Sequence, residues 1–241
     1  MLVYGPPMLV DLHAYSSASG GAHVNDLVDQ ARDLGLDAIC IVDRSASADA
    51  ARGVVNGDFG DFPVFVGVEV PTRQGDLIVF TPEVDPFLTR EEWRQLLVLE
   101  KPDPQAVVAL AEAEGGVVLL AHPYDRSRLG TPGDRMFVMD GLAGVEVGSS
   151  SSDARSNRTA TEAVSHSTLP GFAGSARSSH DVEESRWFTL FSEPVTTQAE
   201  LVVALKGGNF WPVEVQPERS RGRGREKQSR DGGSRRRGGR R

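Results

Sequence analysis

The stretch VDLHAY, residues 10–15, carries three polar side chains whose types and spacing suit the start of a metal site. It ends an apolar run and is typical of a buried strand. Side chains alternate along a strand, so Asp11, His13 and Tyr15 are expected on one face. Imidazole and carboxylate groups bind zinc or manganese well, whereas a phenol is a poorer ligand. The pattern predicts a metal site in which Tyr15 takes a position better suited to a second imidazole.

The chain has the size of one large α/β domain. Its 241 residues fall within the usual range of a single domain of that class. No apolar run is long enough to cross a bilayer, and the N-terminus does not have the pattern of a secretory signal, so we expect a cytoplasmic protein without a membrane partner. Cys40 is the single cysteine and lies in the apolar run AICIV, which excludes an intramolecular disulfide and a thiolate metal cluster.

The net charge of −8 averages two segments of opposite sign. Residues 218–241 hold eleven Lys or Arg and three acidic residues, a net charge of +8, so residues 1–217 carry −16. The basic segment is rich in glycine and almost free of aliphatic and aromatic residues, so it cannot offset its chain entropy by burial. We therefore expect a barrel domain over residues 1–217 and a disordered Arg/Gly-rich tail over residues 218–241.

The repeated Arg-Gly steps of the tail predict binding to RNA or another polyanion. Guanidinium groups contact phosphates and release counterions, and glycine keeps the backbone pliable. The alternative is that this basic segment serves only solubility. The arginines expected to contact nucleic acid are Arg219, Arg221, Arg223, Arg225, Arg235, Arg236 and Arg237.

Upstream of the tail, helical and extended patterns alternate. VNDLVDQARDLG has apolar residues at helical spacing and stops at Gly35, and the following LDAICIVD is an apolar run suited to a buried strand. The alternation continues to FWPVEV and amounts to about six or seven α/β units. It predicts a parallel barrel or an open sheet with helices outside. Such folds build their sites from residues at strand ends.

Six segments with polar residues at or after strand ends follow one another along the chain: DLHAYSSASGG, LDAICIVDR, GVEV, LLAHP, GVEVGSS and FAGSARSSHD. In order and approximate spacing, they resemble the motifs of the PHP (polymerase and histidinol phosphatase) family. The chain is most similar to the small stand-alone phosphoesterase-like members. The resemblance implies a distorted (β/α)7 TIM-like barrel whose strand ends hold several zinc, manganese or iron ions for the hydrolysis of phosphate esters.

The same resemblance implies that much of the metal site has been lost. Metal ligands of the family correspond to positions that hold other residues here, namely Tyr15, Gly20, Arg44, Ala176 and Ser178. The loss of ligands weakens the binding of an ion and removes the geometry that the ion needs. The resemblance therefore implies a degenerate form of the multi-metal centre.

Four residues remain that the resemblance places at a metal ion. Glu69 matches a glutamate that bridges two ions, His122 matches a ligand of the second ion, and Asp76 stands where a third ligand of that ion would fall. With His13 as a fourth ligand, they would hold one divalent ion of manganese, zinc or iron. The residues alone leave alternatives open: His122 hydrogen-bonded to backbone, and Asp76 capping a turn after Gly75.

Arginine at a former metal position predicts a different use of the pocket. A guanidinium stays protonated and cannot polarise water, but it binds phosphate bidentately. Arg44 and Arg177 therefore predict an anion site for a phosphorylated small molecule. The alternative is that both arginines form ion pairs with Asp43, Asp181 or Glu69.

Three functions follow as hypotheses. The leading one is a PHP-fold protein without catalytic residues whose tail binds RNA or another polyanion. The second is an active metal-dependent phosphoesterase, a phosphatase or nuclease, with one ion at Glu69, Asp76 and His122. The third is a sensor that binds a phosphorylated metabolite with Arg44 as its anchor.

Overall fold

A single mixed sheet of nine strands organises the described part of the chain. The computed structural model describes residues 5–44, 54, 57–128, 130–176 and 186–215. The strands are β1 (Met8–Ala14), β2 (Ala38–Arg44), β3 (Val64–Thr72), β4 (Gly75–Phe80), β5 (Val117–Leu120), β6 (Leu142–Ser149), β7 (Gly171–Gly174), β8 (Arg186–Phe191) and β9 (Phe210–Val215). They are hydrogen-bonded in the order β7-β6-β5-β4-β3-β2-β1-β8-β9. The expected α/β class with a barrel-like sheet is confirmed.

The strands are not all parallel, which corrects the parallel barrel expected from the alternating pattern. β1, β2 and β3 are parallel, as are β5, β6 and β7. β4 is antiparallel to β3 and β5, and β8 is antiparallel to β1 and β9. Only Arg73 and Gln74 join β3 to β4, and so short a connection permits only an antiparallel pair. The regular (β/α)7 repeat therefore holds only in part among the described residues.

Helices pack on the outside of this sheet. They are α1 (Val24–Asp33), α2 (Asp85–Thr89), α3 (Glu91–Leu97), α4 (Pro104–Ala113), α5 (Ala154–Val164) and α6 (Gln198–Gly207), with short 3-10 turns at Ser17–Ser19 and Gly133–Val138. Within the described ranges, no helix has both the length and the apolar character needed to cross a membrane.

The helix ends follow from local sequence. Asp153 precedes α5 and accepts hydrogen bonds from the first backbone N–H groups of that helix. Thr197 and Glu200 form a reciprocal capping box at the start of α6. Gly208 ends α6 in the left-handed conformation, with φ of 70°, which glycine adopts without steric strain.

β7 closes the barrel against β1 and β8 through contacts outside the regular ladders. The backbone N–H of Ala173 donates to Thr189 Oγ1 at 2.9 Å, and the Thr189 hydroxyl donates back to the Ala173 carbonyl. A Cβ at Gly174 would lie 2.7 Å from the backbone nitrogen of His13. Glycine is therefore required where β7 passes behind the candidate site.

The barrel interior is apolar below the site. Leu12, Cys40, Val42, Phe80 and Phe172 are buried in one cluster that fills it. Removing such side chains from water provides the main favourable free energy for folding. The core thus gives the strand ends a rigid base. Arg177, the domain boundary near Pro217 and the whole basic tail lie outside the described residues.

Candidate functional site

The candidate metal ligands come from the ends of separate strands at one mouth of the barrel. His13 and Glu69 lie near the carboxyl ends of β1 and β3, and His122 follows β5. Asp76 lies at the start of β4, which runs in the opposite direction and so reaches the same mouth. The mixed sheet thus brings together four residues that the sequence separates by more than 100 positions.

His13, Glu69 and His122 form the centre of the site. Each offers a ligand atom, and the three atoms lie within 4.8 Å of one another. Glu69 Oε1 is 3.2 Å from His122 Nε2 and 3.7 Å from His13 Nε2. All three residues are buried. Donor atoms around a four-coordinate zinc lie about 3.3 Å apart when each bond is about 2.05 Å, so these two separations fit one shared ion.

The backbone and ring of His13 are held from several sides. Asp11 Oδ1 accepts from the backbone N–H of His13 at 3.1 Å and from that of Ser175 at 2.9 Å. The Nδ1 atom of the His13 ring lies 3.1 Å from Glu146 Oε1. Nδ1 therefore carries the hydrogen that the carboxylate accepts, and Nε2 is the ring nitrogen that faces the cluster. The Asp11 carboxylate itself is occupied by backbone donors and is not a ligand in this arrangement.

His122 has an unusual backbone conformation at the mouth of the barrel. Its φ is 29°, a region that residues other than glycine seldom adopt. Its backbone N–H donates to Glu146 Oε2 at 2.9 Å. The strained backbone aims the ring at Glu69, and the Glu146 carboxylate stabilises that conformation.

Tyr15 lies inside the cluster. Its hydroxyl donates to Glu69 Oε2 at 2.9 Å and lies 3.1 Å from His13 Nε2. Burial, followed by the charge of Glu69, raises the pKa of the Tyr15 phenol, so the hydroxyl remains protonated. Its single hydrogen goes to Glu69, so a hydrogen bond with His13 forms only when Nε2 also carries a hydrogen, that is, when the ring is an imidazolium.

The charges of the cluster compensate one another. Burial alone would raise the pKa of Glu69, but its contacts with His122, His13 and Arg128 lower that pKa to about 2. Burial opposes a charge on His13, yet the nearby carboxylates of Glu146 and Glu69 raise the pKa of its imidazole. Glu69 is therefore an anion at neutral pH, as a metal ligand must be.

Asp76 lies beside the central three residues rather than among them. Its Oδ2 is 3.8 Å from His122 Nε2 and 3.8 Å from Arg128 Nη1. Burial, and then the charge of Glu69, raise the pKa of the Asp76 carboxyl. Its side chain belongs to the strand and forms no cap of the turn at Gly75, where the Thr72 hydroxyl bonds the backbone instead. Asp76 is close enough to join an ion after a small movement of its carboxylate.

Arg44 lies at the exposed rim, with a side chain that is half accessible to solvent. Its Nε is 3.5 Å from Glu69 Oε2, which matches the ion pair considered as the alternative for this residue. Its guanidinium carbon also lies 5.2 Å from the centre of the Tyr15 ring, within cation–π range. Arg177, its expected companion, lies outside the described residues.

The positions where the family resemblance implies further ligands do not form a second ion site in the described chain. Asp43, which precedes Arg44 and is not one of those positions, accepts from the backbone N–H and hydroxyl of Ser16 at 2.9 and 2.6 Å, so its carboxylate is already paired. Ala176 offers no donor side chain, and Tyr15 and Arg44 occupy the space near Glu69 Oε2.

Two site residues were not singled out by the sequence patterns. Glu146 interrupts the apolar strand GVEVG, and a carboxylate at such a position is the signal that could have identified it. Arg128 comes from the loop after His122, and no sequence signal separates it from its neighbour Arg126. Arg128 is about three-quarters buried and also lies 3.4 Å from Asp125 Oδ2.

The fold and the site together define a class: a mixed α/β barrel with a buried histidine–carboxylate cluster at one mouth. No protein-family model and no curated protein sequence matches the chain. Solved structures do match. A two-domain protein from Bacteroides vulgatus that contains a predicted PHP-like metal-dependent phosphoesterase superposes with a TM-score of 0.56 at 16% identity, covering 88% of this chain and 65% of that one.

Two further structures extend this comparison. PsfC from Pseudomonas syringae superposes with a TM-score of 0.59 at 15% identity, covering 88% of this chain and 92% of that one. An amidohydrolase from Chromobacterium violaceum, solved with bound sulfate and no metal, superposes with a TM-score of 0.52 at 16% identity, covering 86% and 98%. The chain spans less than two thirds of the Bacteroides protein. The resemblance to the PHP family is thus confirmed at the level of the fold.

Proposed function

We propose that the barrel mouth binds one divalent cation and, beside it, a phosphate ester that is hydrolysed slowly or not at all. The observation that carries this proposal is the convergence of His13, Glu69 and His122, whose ligand atoms lie within 4.8 Å of one another. Asp76 is the fourth candidate ligand. Two imidazoles with one or two carboxylates suit zinc, manganese or iron.

The cation would polarise a phosphate oxygen and neutralise part of its charge. The described residues leave ligands for one ion, because Tyr15 and Arg44 occupy the outer side of Glu69 and Asp43 is paired with Ser16. Phosphate ester hydrolysis in multi-metal sites depends on ions that stabilise both the attacking and the leaving oxygen. A single ion provides only part of that stabilisation, which supports weak or absent catalysis.

Arg128 and Arg44 are the proposed anion contacts. Their guanidinium groups lie on different sides of the cluster, beside Asp76 and beside Glu69. Planar guanidinium groups match two phosphate oxygens at once, and they remain charged at every physiological pH. The Chromobacterium protein of similar fold was solved with bound sulfate, an oxyanion of the same shape as phosphate. The proposed ligand is a phosphorylated small molecule. The sensor hypothesis requires a ligand of the same class.

Elemental analysis tests the metal. The full chain is purified without a chelator or a metal-binding tag, then compared with Glu69→Gln and with Glu162→Gln, a matched change on the exposed face of α5. We expect about one ion per chain in the wild type and the control, and a large loss in Glu69→Gln. Two or more ions, or none, in the wild type would overturn the proposed site.

An active phosphoesterase is the second candidate, because an ion held by the same three ligands would lower the pKa of a bound water. Phosphate release from p-nitrophenyl phosphate and cleavage of a short RNA into shorter fragments separate the two functions. Turnover that follows the metal content and disappears in Glu69→Gln would establish the active enzyme. Binding of inorganic phosphate without turnover, seen as a rise in melting temperature, supports the proposed function.

We also propose that the arginines of the tail, residues 218–241, bind RNA or another polyanion. The separation of a +8 segment from a −16 body supports this proposal. Truncation after Pro217 is expected to abolish RNA binding, and the intact chain is expected to lose affinity steeply as salt rises. Equal binding by the truncated protein would contradict it.

A further inference from the structure

A single buried carboxylate, that of Glu146, contacts both histidines of the candidate metal site. Its Oε1 is 3.1 Å from His13 Nδ1, and its Oε2 accepts from the backbone N–H of His122 at 2.9 Å. The two partners are 133 and 24 residues away along the chain. Glu146 therefore couples β1 to the segment after β5 across the barrel, from its own position on β6.

We propose that Glu146 is the positioning residue of the cluster, which sets the orientation of both imidazoles without being a ligand. Each of its oxygens already has a donor, so it has no role as a ligand while these bonds persist. The bond to Nδ1 directs Nε2 of His13 toward Glu69. Outer carboxylates that fix a histidine in this way typically contribute 10- to 100-fold to metal affinity.

The second bond acts on the backbone rather than on a ring. His122 adopts a φ of 29°, a conformation that is strained for a residue with a side chain. The Glu146 carboxylate accepts a hydrogen bond from the His122 N–H in this conformation. It therefore fixes the backbone from which the imidazole ring of His122 extends. The Glu146 side chain is fully buried and both of its oxygens are bonded, so the carboxylate is held in one orientation.

The chemistry of the side chain makes the inference testable with an isosteric variant. A carboxylate has two acceptor oxygens for two N–H donors, whereas glutamine has one oxygen and one NH₂ group. In Glu146→Gln, the NH₂ group must face either His13 Nδ1 or the N–H of His122. The variant therefore either loses the bond to the His122 N–H, or keeps the bond to His13 only if the ring hydrogen moves from Nδ1 to Nε2, the nitrogen that would bind the ion. The size and shape of the side chain are kept in both cases.

The positioning role rests on the proposed single-ion site, and the experiment distinguishes failure of the role from failure of the site. Zn²⁺ affinity is measured by calorimetry for the wild type, Glu146→Gln and the surface control Glu162→Gln. We expect Zn²⁺ binding to weaken by about 10- to 100-fold in Glu146→Gln and to remain unchanged in the control. An unchanged affinity in folded Glu146→Gln would overturn the positioning role while leaving the ion site intact.

Two measurements without metal decide the inference even if the wild type takes up no ion. Histidine side-chain ¹⁵N spectra are expected to show a hydrogen on Nδ1 of His13 in the wild type and an altered signal in Glu146→Gln. The backbone N–H of His122 is expected to exchange slowly in the wild type and at least about tenfold faster in the variant. Unaltered spectra and exchange would refute the proposal. If Glu146→Gln does not fold, the wild-type spectra and the shorter Glu146→Asp variant, which is expected to lose at least one bond, decide the question.

Discussion

The Tyr15 hydroxyl donates to Glu69 Oε2 at 2.9 Å, on the side of the carboxylate opposite to the imidazole of His122. Arg44 lies 3.5 Å from the same Oε2 oxygen, whereas Oε1 faces His122 and His13. The two oxygens of one carboxylate thus have different surroundings. Oε2 is paired with Tyr15 and Arg44, whereas Oε1 is directed at the candidate ion site between the two histidines.

Replacing Tyr15 by phenylalanine removes the hydroxyl and keeps the ring. We expect the free energy of unfolding without added metal to fall by about 1–2 kcal/mol, because Glu69 Oε2 loses a buried donor. With Zn²⁺ bound the loss should be smaller, since Glu69 and His13 Nε2 then contact the cation. Zn²⁺ should therefore stabilise Tyr15→Phe more than the wild type, which urea unfolding with and without the ion measures.

Tyr124→Phe is the matched control for this prediction. The Tyr124 hydroxyl donates to Asp134 at the surface, away from the candidate ligands. Its removal is expected to leave the stabilisation by Zn²⁺ unchanged. The same gain from Zn²⁺ in Tyr15→Phe and in the wild type would show that the hydroxyl does not compete with the ion.

The two arginines at the mouth are expected to contribute separately to anion binding. Arg44→Gln and Arg128→Gln should each weaken the binding of inorganic phosphate by about tenfold or more, since charge-assisted hydrogen bonds contribute about 1.5–3 kcal/mol. Arg44→Gln should leave stability almost unchanged because its side chain is half exposed. Calorimetric titration with phosphate measures the effect. Arg94→Gln, an exposed change on α3, is the control, and phosphate affinities equal to the wild type in both mouth variants would contradict an anion site.

Periodic elements could be predicted from the sequence because local patterns determine them. The helix expected in VNDLVDQARDLG is α1, which ends just before Gly35. The buried strand expected in LDAICIVD is β2, which includes the buried Cys40. In each case the signal lies within about a dozen neighbouring residues.

Features that depend on distant contacts could not be predicted in the same way. β7 is the short segment GFAG, whose two glycines have low strand propensity, and the need for Gly174 arises from the passage of β7 behind His13. The antiparallel direction of β4 depends on the two-residue turn after β3, a signal that the alternating pattern obscured. Glu146 was visible as a polar residue in an apolar strand, but its two partners are set by the closure of the barrel.

Gly148, near the end of β6, packs against Trp187 of β8 and should not tolerate a side chain. A Cβ there would lie 2.0 Å from the Trp187 ring, so the indole would have to move. We expect Gly148→Ala to lower the free energy of unfolding by about 1–3 kcal/mol, as overpacked positions do. Gly207→Ala is the control, because a Cβ there meets nothing within 4 Å and alanine favours the helix by up to about 1 kcal/mol. Urea unfolding compares the two variants, and equal stabilities would contradict the packing at Gly148.

Asp125 stabilises the loop that carries Arg128, and its contribution to the free energy of unfolding should depend on pH. Its buried carboxylate accepts hydrogen bonds from the Ser127 backbone and hydroxyl and from the Ser152 hydroxyl, and it pairs with Arg128. Burial alone would raise the pKa of Asp125, but these contacts lower it below the ordinary value of 3.8. A carboxyl with a lowered pKa in the folded state stabilises the protein fully above that ordinary value and loses its contribution as the pH falls through the folded pKa. We therefore expect Asp125→Asn to lower the free energy of unfolding by about 1.5–3 kcal/mol at pH 7.

The difference in unfolding free energy between the wild type and Asp125→Asn should then shrink steadily once the pH falls below 3.8, because the wild-type carboxyl becomes protonated and resembles the amide. Urea unfolding of both proteins across this range measures the difference directly, and subtracting one from the other removes the general effect of acid. Asp29→Asn, on the exposed face of α1, controls for the loss of a surface charge. A difference that stays constant from pH 7 to pH 3 would show that the charge of Asp125 does not stabilise the loop.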